Sequence, residues 1–417
     1  MKLTINRDLL LKAVRRCDLK ASHTGNPALA CVALHATRIA DMPGGLDLKA
    51  TNGLTGIATM VACDTQEEHA LAIHCKTFAQ AIATMPSGTL TLQSEPLKGG
   101  AVRLIVKGGQ RTWKGLTRPV SDVKDLPEPA DGTRQLKLTG TEFLTMLDRT
   151  RFAVGDVGAE HIWRQGIYLD VSSRFNAVVI GDHLCARYET ARGVAGGDFR
   201  LLLPELFLPY ARELALEDEK GVITMTQGEH FAWLESTATM LVMNPPPGEY
   251  LDWRKALTSL TQLPVCRLPR LAVIETLRAM LSTSPSSITP TWLRLLPTGD
   301  LRFDYHHADG EVFFHDTIPV SDIKIDSLPI FMVDAKLLLD AVEASGTDPV
   351  LSHVDTGRHI VLTTEEGFFW AGGLLAPETG ARPPSLDDTP APPAPVAPAA
   401  EAATPKRAGR KPSEKGA

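Results

Sequence analysis

Apolar residues recur along this chain in a compound pattern. A few alternate with polar neighbours, a helix-starting polar residue or Pro intervenes, and further apolar residues follow at i, i+3, i+4 spacing. Alternation lines one face of a strand and the 3.6-residue period lines one stripe of a helix, so each phrase predicts a strand running directly into an amphipathic helix. The phrase occurs six times: Leu3 to Val14, Leu71 to Met85, Leu136 to Asp148, Phe199 to Leu216, Arg267 to Leu281 and Phe331 to Ala344. The starts lie roughly 65 residues apart. Between them lie stretches of period-2 alternation broken by Gly, Asn or Asp: Gly45 to Ala62, Ala101 to Val120, Asn176 to Ala191, Gly221 to Met243, Asp300 to Val320 and Pro349 to Leu375. These predict strands and tight turns. The repeating unit is thus one helix with three or four strands, and two units make a domain of conventional size.

A chain of 417 residues with 43% hydrophobic content can bury several cores. The rhythm divides it into three similar α+β domains, at 1–129, 130–258 and 259–377, followed by a tail at 378–417. That tail, rich in Pro and Ala, cannot bury enough apolar area to offset its chain entropy and is expected to be disordered. Its end, Lys406 to Ala417 (KRAGRKPSEKGA), is basic and weakly like a minor-groove hook, although a solubilising tail has the same composition. No run of 18 apolar residues occurs and the opening MKLTINRDLL lacks secretory-signal features, so a cytoplasmic protein without a membrane partner is expected. Six scattered cysteines without a C-x-x-C pair point to reduced, buried thiols rather than a disulfide frame or zinc site. The formal net charge of −6 excludes a protein that coats DNA through overall basicity. Any DNA-facing cations must be gathered on one surface.

Searching for chemistry returns absences. There is no G-x-x-x-x-G-K-[ST], no G-x-S-x-G, no H-E-x-x-H and no G-x-G-x-x-G, so no catalytic residues and no cofactor are assigned. His306, His307 and His315 flank a predicted turn, but adjacent strand residues point to opposite faces, and no metal site is expected. Asp182-His183 has no nucleophile spaced near it and reads as a hydrogen-bonded turn.

The order of several motifs resembles the bacterial sliding clamp, the β subunit of DNA polymerase III, as a divergent member. The resemblance covers Met1 to about Leu375. It is carried by MKLTINRDLLLKAV at the start, Leu46 to Leu54 (LDLKATNGL), Gly166 to Leu169 (GIYL) with Val178 to Ala186 (VVIGDHLCA), Leu203-Pro204, and Gly248 to Lys255 (GEYLDWRK). It implies the DNA-clamp fold: three tandem domains, each of two β-α-β-β-β units, and two chains closing head to tail into a ring-shaped homodimer around double-stranded DNA. Helix cations would then face the hole, and the candidates are Lys12, Arg15, Arg16, Arg149, Arg151, Arg212 and Arg278, joined by Trp163 and Arg164 where the family places DNA-touching residues. It further implies a groove for short linear peptides between the second and third domains, with His183 and Cys185 on one wall, Leu251, Arg254 and Lys255 on another, and Leu374 near the chain's end. The implied partners are the DNA polymerase III α subunit, an ATP-driven clamp loader, and repair or replication proteins carrying a clamp-binding motif, at the nucleoid or replisome.

The chain departs from the family pattern at Gly181-Asp182, at Leu184 and Leu251, at Glu205-Leu206 after Pro204, and at Trp370 to Leu375 (WAGGLL). A different peptide preference follows. The functional expectation is a non-enzymatic sliding clamp that confers processivity on the replicative polymerase. The alternative is a clamp-fold peptide-binding scaffold or decoy that no longer encircles DNA.

Overall fold

The computed structural model describes residues 1–375 apart from 20–25, 40–41, 131–132, 156–163, 173, 181–183, 191–197, 247–249, 259, 261, 285–287, 307–312, 326–329 and 355–358. Each of the six sequence phrases opens one unit, a leading strand, a helix and three further strands. The first unit is β1 (Lys2–Asn6), α1 (Arg7–Arg16), β2 (Cys31–Ile39), β3 (Met42–Thr51) and β4 (Thr55–Ala62). A short strand, β5 (Asp64–Glu67), precedes the second unit: β6 (His69–His74), α2 (Cys75–Thr84), β7 (Thr89–Pro96), β8 (Val102–Gly108) and β9 (Arg111–Leu116). The third is β10 (Arg134–Thr139), α3 (Gly140–Thr150), β11 (Gly166–Val171), β12 (Phe175–Ile180) and β13 (Leu184–Thr190). In the fourth, β14 (Phe199–Pro204) leads through a 3-10 turn into α4 (Leu208–Glu217), then β15 (Val222–Gln227), β16 (Ala232–Glu235) and β17 (Thr239–Met243). After α5 (Trp253–Thr258) comes the fifth: β18 (Gln262–Arg267), α6 (Arg270–Thr283), β19 (Pro290–Leu295), β20 (Asp300–His306) and β21 (Phe313–Pro319). The sixth is β22 (Phe331–Asp334), α7 (Ala335–Ser345), β23 (Val350–Val354), β24 (His359–Thr363) and β25 (Phe368–Gly373).

Helices α1, α3 and α7 start where the sequence supplies a side-chain acceptor for orphan N–H groups. Asn6 accepts from the backbone of Asp8 and Leu9, Thr139 and Glu142 form a reciprocal capping box, and Asp334 accepts from Lys336. Two elements departed from the sequence pattern. The fifth strand ends, rather than begins, at Arg267, because Pro264 lies in an edge strand with a bulge between Pro264 and Cys266 that breaks its alternation. The segment before it holds α5, whose six residues are too short to show a helical period.

Consecutive units interlock by exchanging their leading strands. β1 pairs with β7 of the second unit while β6 pairs with β2 of the first. β10 and β14 exchange in the same way with β15 and β11, and so do β18 and β22 with β23 and β19. Helices pack in the corresponding pairs, α1 with α2, α3 with α4 and α6 with α7. The strand order is β5-β1-β7-β8-β9 in one sheet, β10-β15-β16-β17-β4-β3-β2-β6 in the second, β14-β11-β12-β13-β25-β24-β23-β18 in the third and β21-β20-β19-β22 in the fourth. Each eight-stranded sheet is therefore two four-stranded halves joined through final strands, β17 on β4 and β13 on β25.

One face of every sheet packs on the helices in a continuous core that includes Phe78, Phe143, Phe303 and Trp370, all at most 0% exposed. At about 25 cal/mol per Å2, a fully buried aromatic or aliphatic side chain contributes roughly 1.5–3 kcal/mol, which is what fixes strand register. On the opposite face the connecting segments lie flat. The chain after β9 places Val120 and Val123 against Cys31, Ala33 and Ala72, and the Pro127 carbonyl accepts from Trp233 Nε1 at 2.7 Å.

All six cysteines are buried. Burial pushes the thiols of Cys17, Cys185 and Cys266 up to about 12, so the nucleophilic thiolate is scarce at neutral pH. The expected result with a thiol-reactive chromophore at pH 7.5 is slow labelling of the native chain and rapid release of six equivalents in denaturant.

Candidate functional site

The helix face is where the sequence places its DNA-binding candidates, and the structure engages most of them with carboxylates. Lys12 pairs with Glu217 on α4. Arg16, its side chain 11% exposed, pairs with Glu217 and with Glu213 at 3.9 Å, and donates to Thr239 Oγ1 at 3.3 Å. Arg149, 12% exposed, donates to the Ala344 carbonyl at 2.8 Å and to Glu366 at 3.0 Å, with the Phe368 ring 6.0 Å away. Arg212 pairs with Asp148 at 3.6 Å and Arg278 with Glu343 at 2.7 Å. Arg15 and Arg151 are exposed and have no carboxylate partner among the described residues. Arg164 is half-buried, its carbonyl accepting from the Gly155 N–H at 3.0 Å, and Trp163 lies outside the described residues.

Burial explains the pairing. Desolvation holds the Arg16 guanidinium below its ordinary value, with Glu213 opposing the shift, and it does the same at Arg149 against Glu366. A cation in such a place must be hydrogen-bonded on several sides. Both arginines cross between units: Arg16 from α1 to α4 and β17, Arg149 from α3 to α7 and beyond. Between α3 and α7 lies a cleft of about 390 Å3 lined by Asp148, Arg149, Asp340 and Glu343, among others. Its carboxylates disfavour phosphate there. Of the four cations on α1, Arg7 pairs with Asp8, and Lys12 and Arg16 with Glu217, which leaves Arg15 as the exposed α1 cation without a carboxylate partner among the described residues.

The second candidate surface is the outer face of the sheet that joins β13 to β25. Trp253 of α5, 5% exposed, donates from Nε1 to Asp170 Oδ2 at 2.9 Å, and Arg254 donates to the same oxygen at 2.6 Å. That bond holds the Arg254 guanidinium above its ordinary value. The Arg254 guanidinium stands 4.5 Å from the Trp253 ring centre, and Arg187 stands 5.9 Å from Trp253 and 5.6 Å from Phe369. Tyr168 and Tyr250 stack at 3.9 Å. Leu257 packs on both apolar clusters of this face, Val178, Ile180, Cys185 and Trp253 on one side and Val354, Val361, Phe369 and Ala371 on the other.

Of the sequence-predicted groove residues, Cys185 forms part of the floor and is 8% exposed, so it reaches the surface only if α5 moves. Leu251 is 41% exposed, Lys255 is exposed, and Leu374 packs against the main core. His183 lies outside the described residues, as do Asp182 and His307. His306 ends β20, and His315 sits opposite Asp304 on β21. The residues that organise the face are Asp170, Tyr168, Arg187, Trp253, Leu257 and Phe369, and sequence reasoning missed them. Trp253 beside two cations was the one available signal.

Two mutational outcomes follow. Replacing Asp170 by Ala leaves the buried Trp253 N–H without its acceptor and releases Arg254, an expected loss of about 2–4 kcal/mol in denaturant unfolding with a shift in tryptophan emission. Arg149→Ala removes two charge-assisted bonds between units, an expected loss of about 2 kcal/mol in the same assay; Arg15→Ala leaves the midpoint unchanged.

No family model matches the sequence, and no curated protein matches it. Solved structures do. A putative DNA polymerase III β subunit from Eubacterium rectale superposes with a TM-score of 0.78 at 15% identity, covering 90% of this chain and 99% of that one. The β subunit of DNA polymerase from Streptococcus pyogenes gives 0.78 at 16% identity, covering 90% and 100%. A sliding clamp from Pseudomonas aeruginosa bound to griselimycin gives 0.80 at 16% identity, covering 90% and 99%. With α+β units, antiparallel sheets and near-complete coverage of those clamps, the chain has the fold of the bacterial DNA polymerase III β subunit, the sliding clamp.

Proposed function

We propose that this chain is a non-enzymatic DNA sliding clamp, that its three domains correspond to 1–129, 130–258 and 259–377, and that two chains close head to tail around duplex DNA. The observation that carries the reading is a rule of strand pairing. The final strand of a domain's first unit pairs with the final strand of the next domain's second unit, β4 with β17 and then β13 with β25. Applied once more, the rule pairs β21 with a β9, and these are the two final strands that end their sheets. Unpaired edges of this kind attract another chain. Only a second copy offers each edge the partner that the rule demands.

Encirclement holds DNA by topology, which suits a chain with net charge −6. The exposed cations of α1, Arg15 above all, would supply weak, sequence-independent attraction. The face around α5, Leu251 and Lys255 would take short apolar linear motifs from a DNA polymerase III α subunit, a clamp loader and repair proteins, with Arg254 shaping its rim. No helix among the described residues is long and apolar enough to cross a membrane, in keeping with a replisome location.

The pairing of five helix cations with carboxylates favours a second reading, a clamp-fold scaffold that binds such peptides without encircling DNA. Loading separates the two. The full chain is expected to sediment at twice its 45.1 kDa. Loaded onto nicked circular DNA by a bacterial clamp loader with ATP, it should be retained there and lost when the circle is linearised. Equal retention on both forms, or none on either, would establish the scaffold reading instead.

A further inference from the structure

The two junctions within the chain share a device that the proposed third junction lacks. The leading helices of first units align through their buried positions: Leu10, Phe143 and Val273 fourth in the helix, Ala13, Met146 and Thr276 seventh, Val14, Leu147 and Leu277 eighth. In that register the tenth position is Arg16 on α1, Arg149 on α3 and Ala279 on α6. Arg16 reaches Glu213 and Glu217 in the last turns of α4, and Arg149 reaches the Ala344 carbonyl in the last turn of α7. Arg16 thus meets carboxylates of the last turns, and Arg149 a backbone carbonyl of the last turn; both guanidinium groups lie at a helix C-terminus, where the dipole is negative. Gly346, with φ of 75°, leaves the space that the Arg149 guanidinium occupies. Ala279 is exposed and has nothing to donate.

The acceptor side differs as well. Counted from their first residues, Ala83 and Thr84 of α2 match Glu343 and Ala344 of α7. The Glu343 carbonyl accepts from Arg270 of its own domain at 2.7 Å, and the Ala83 carbonyl accepts from Arg7 of its own domain at 2.8 Å. The next carbonyl is where they part. Ala344 takes the neighbouring domain's Arg149, whereas Thr84 is already engaged by Arg111, the first residue of its own domain's β9.

We propose that the joint between chains is built without the arginine cross-link that fastens both joints within a chain, because Ala279 withholds the donor and Arg111 occupies the acceptor. The occupant of that joint is a second copy of this chain, and the inference rests on the head-to-tail reading above. Its consequence is a dimer joint weaker than the intrachain junctions by the contribution of that cross-link.

Sedimentation equilibrium of the full-length chain over a dilution series at low salt tests it, with Arg111→Ala, Ala279→Arg and the double variant, each verified as folded by circular dichroism. Freed of Arg111, Thr84 should accept the introduced arginine. The double variant is expected to dimerise about tenfold or more tighter than Arg111→Ala, the effect of one charge-assisted bond per joint, and the gain should shrink with salt. Ala279→Arg alone should change little. A double variant no tighter than Arg111→Ala would overturn the missing cross-link while leaving the ring intact. A wild-type chain that stays monomeric at every concentration would instead remove the ring reading and the inference with it.

Discussion

Every sheet in this protein is made from strands that its own unit does not supply in full. A leading strand crosses to the partner unit, and a final strand pairs with the final strand of a more distant unit, so backbone N–H and C=O groups are satisfied only when units come together. This requirement forces six short phrases into interlocked pairs. It also leaves β9 and β21 as the two ends of the series, and the proposed ring is the closed solution to the same requirement. Pairing β9 with β21 would cover these two edges against indiscriminate pairing.

The side chains at the junctions follow from that architecture. Bringing units together buries helix ends, and at a helix C-terminus a guanidinium finds a favourable dipole together with carboxylates, as Arg16 does, or a free carbonyl, as Arg149 does. Arg16 and Arg149 are spent there. Their near-complete side-chain burial, and the carboxylates that compensate it, leave Arg15 as the exposed α1 cation without a carboxylate partner among the described residues. The proposed ring, which would hold DNA by topology, tolerates this division, since its cations would need only to bias the phosphates without binding them tightly.

The outer face obeys a different logic. Asp170 is 2% exposed and anchors both Trp253 and Arg254, and this fixes α5 across the seam between the β12–β13 and β24–β25 halves of the sheet. A six-residue helix would not persist alone. Tryptophan burial and two charge-assisted contacts hold it, and the surface they shape is the one proposed for partner peptides.

The sequence by itself determined the elements and their order. Alternation at Leu136 and Leu138, then helical spacing at Phe143, Met146 and Leu147, fixes a strand and a helix wherever the chain is placed, because those periods depend only on local backbone geometry. The motif order was enough to suggest the clamp architecture. What only the tertiary structure decided was the fate of the charged side chains. Arg15 and Arg16 are neighbours in sequence with the same chemistry, yet one is exposed and the other is clasped by Glu217 of a helix some 200 residues away, roughly three repeats on. A helical period tells which face a residue occupies but not which other helix meets that face. That meeting is settled by strand pairing between distant units, so a cation's partner, and hence whether it serves a junction or a ligand, becomes visible only once the sheets are joined.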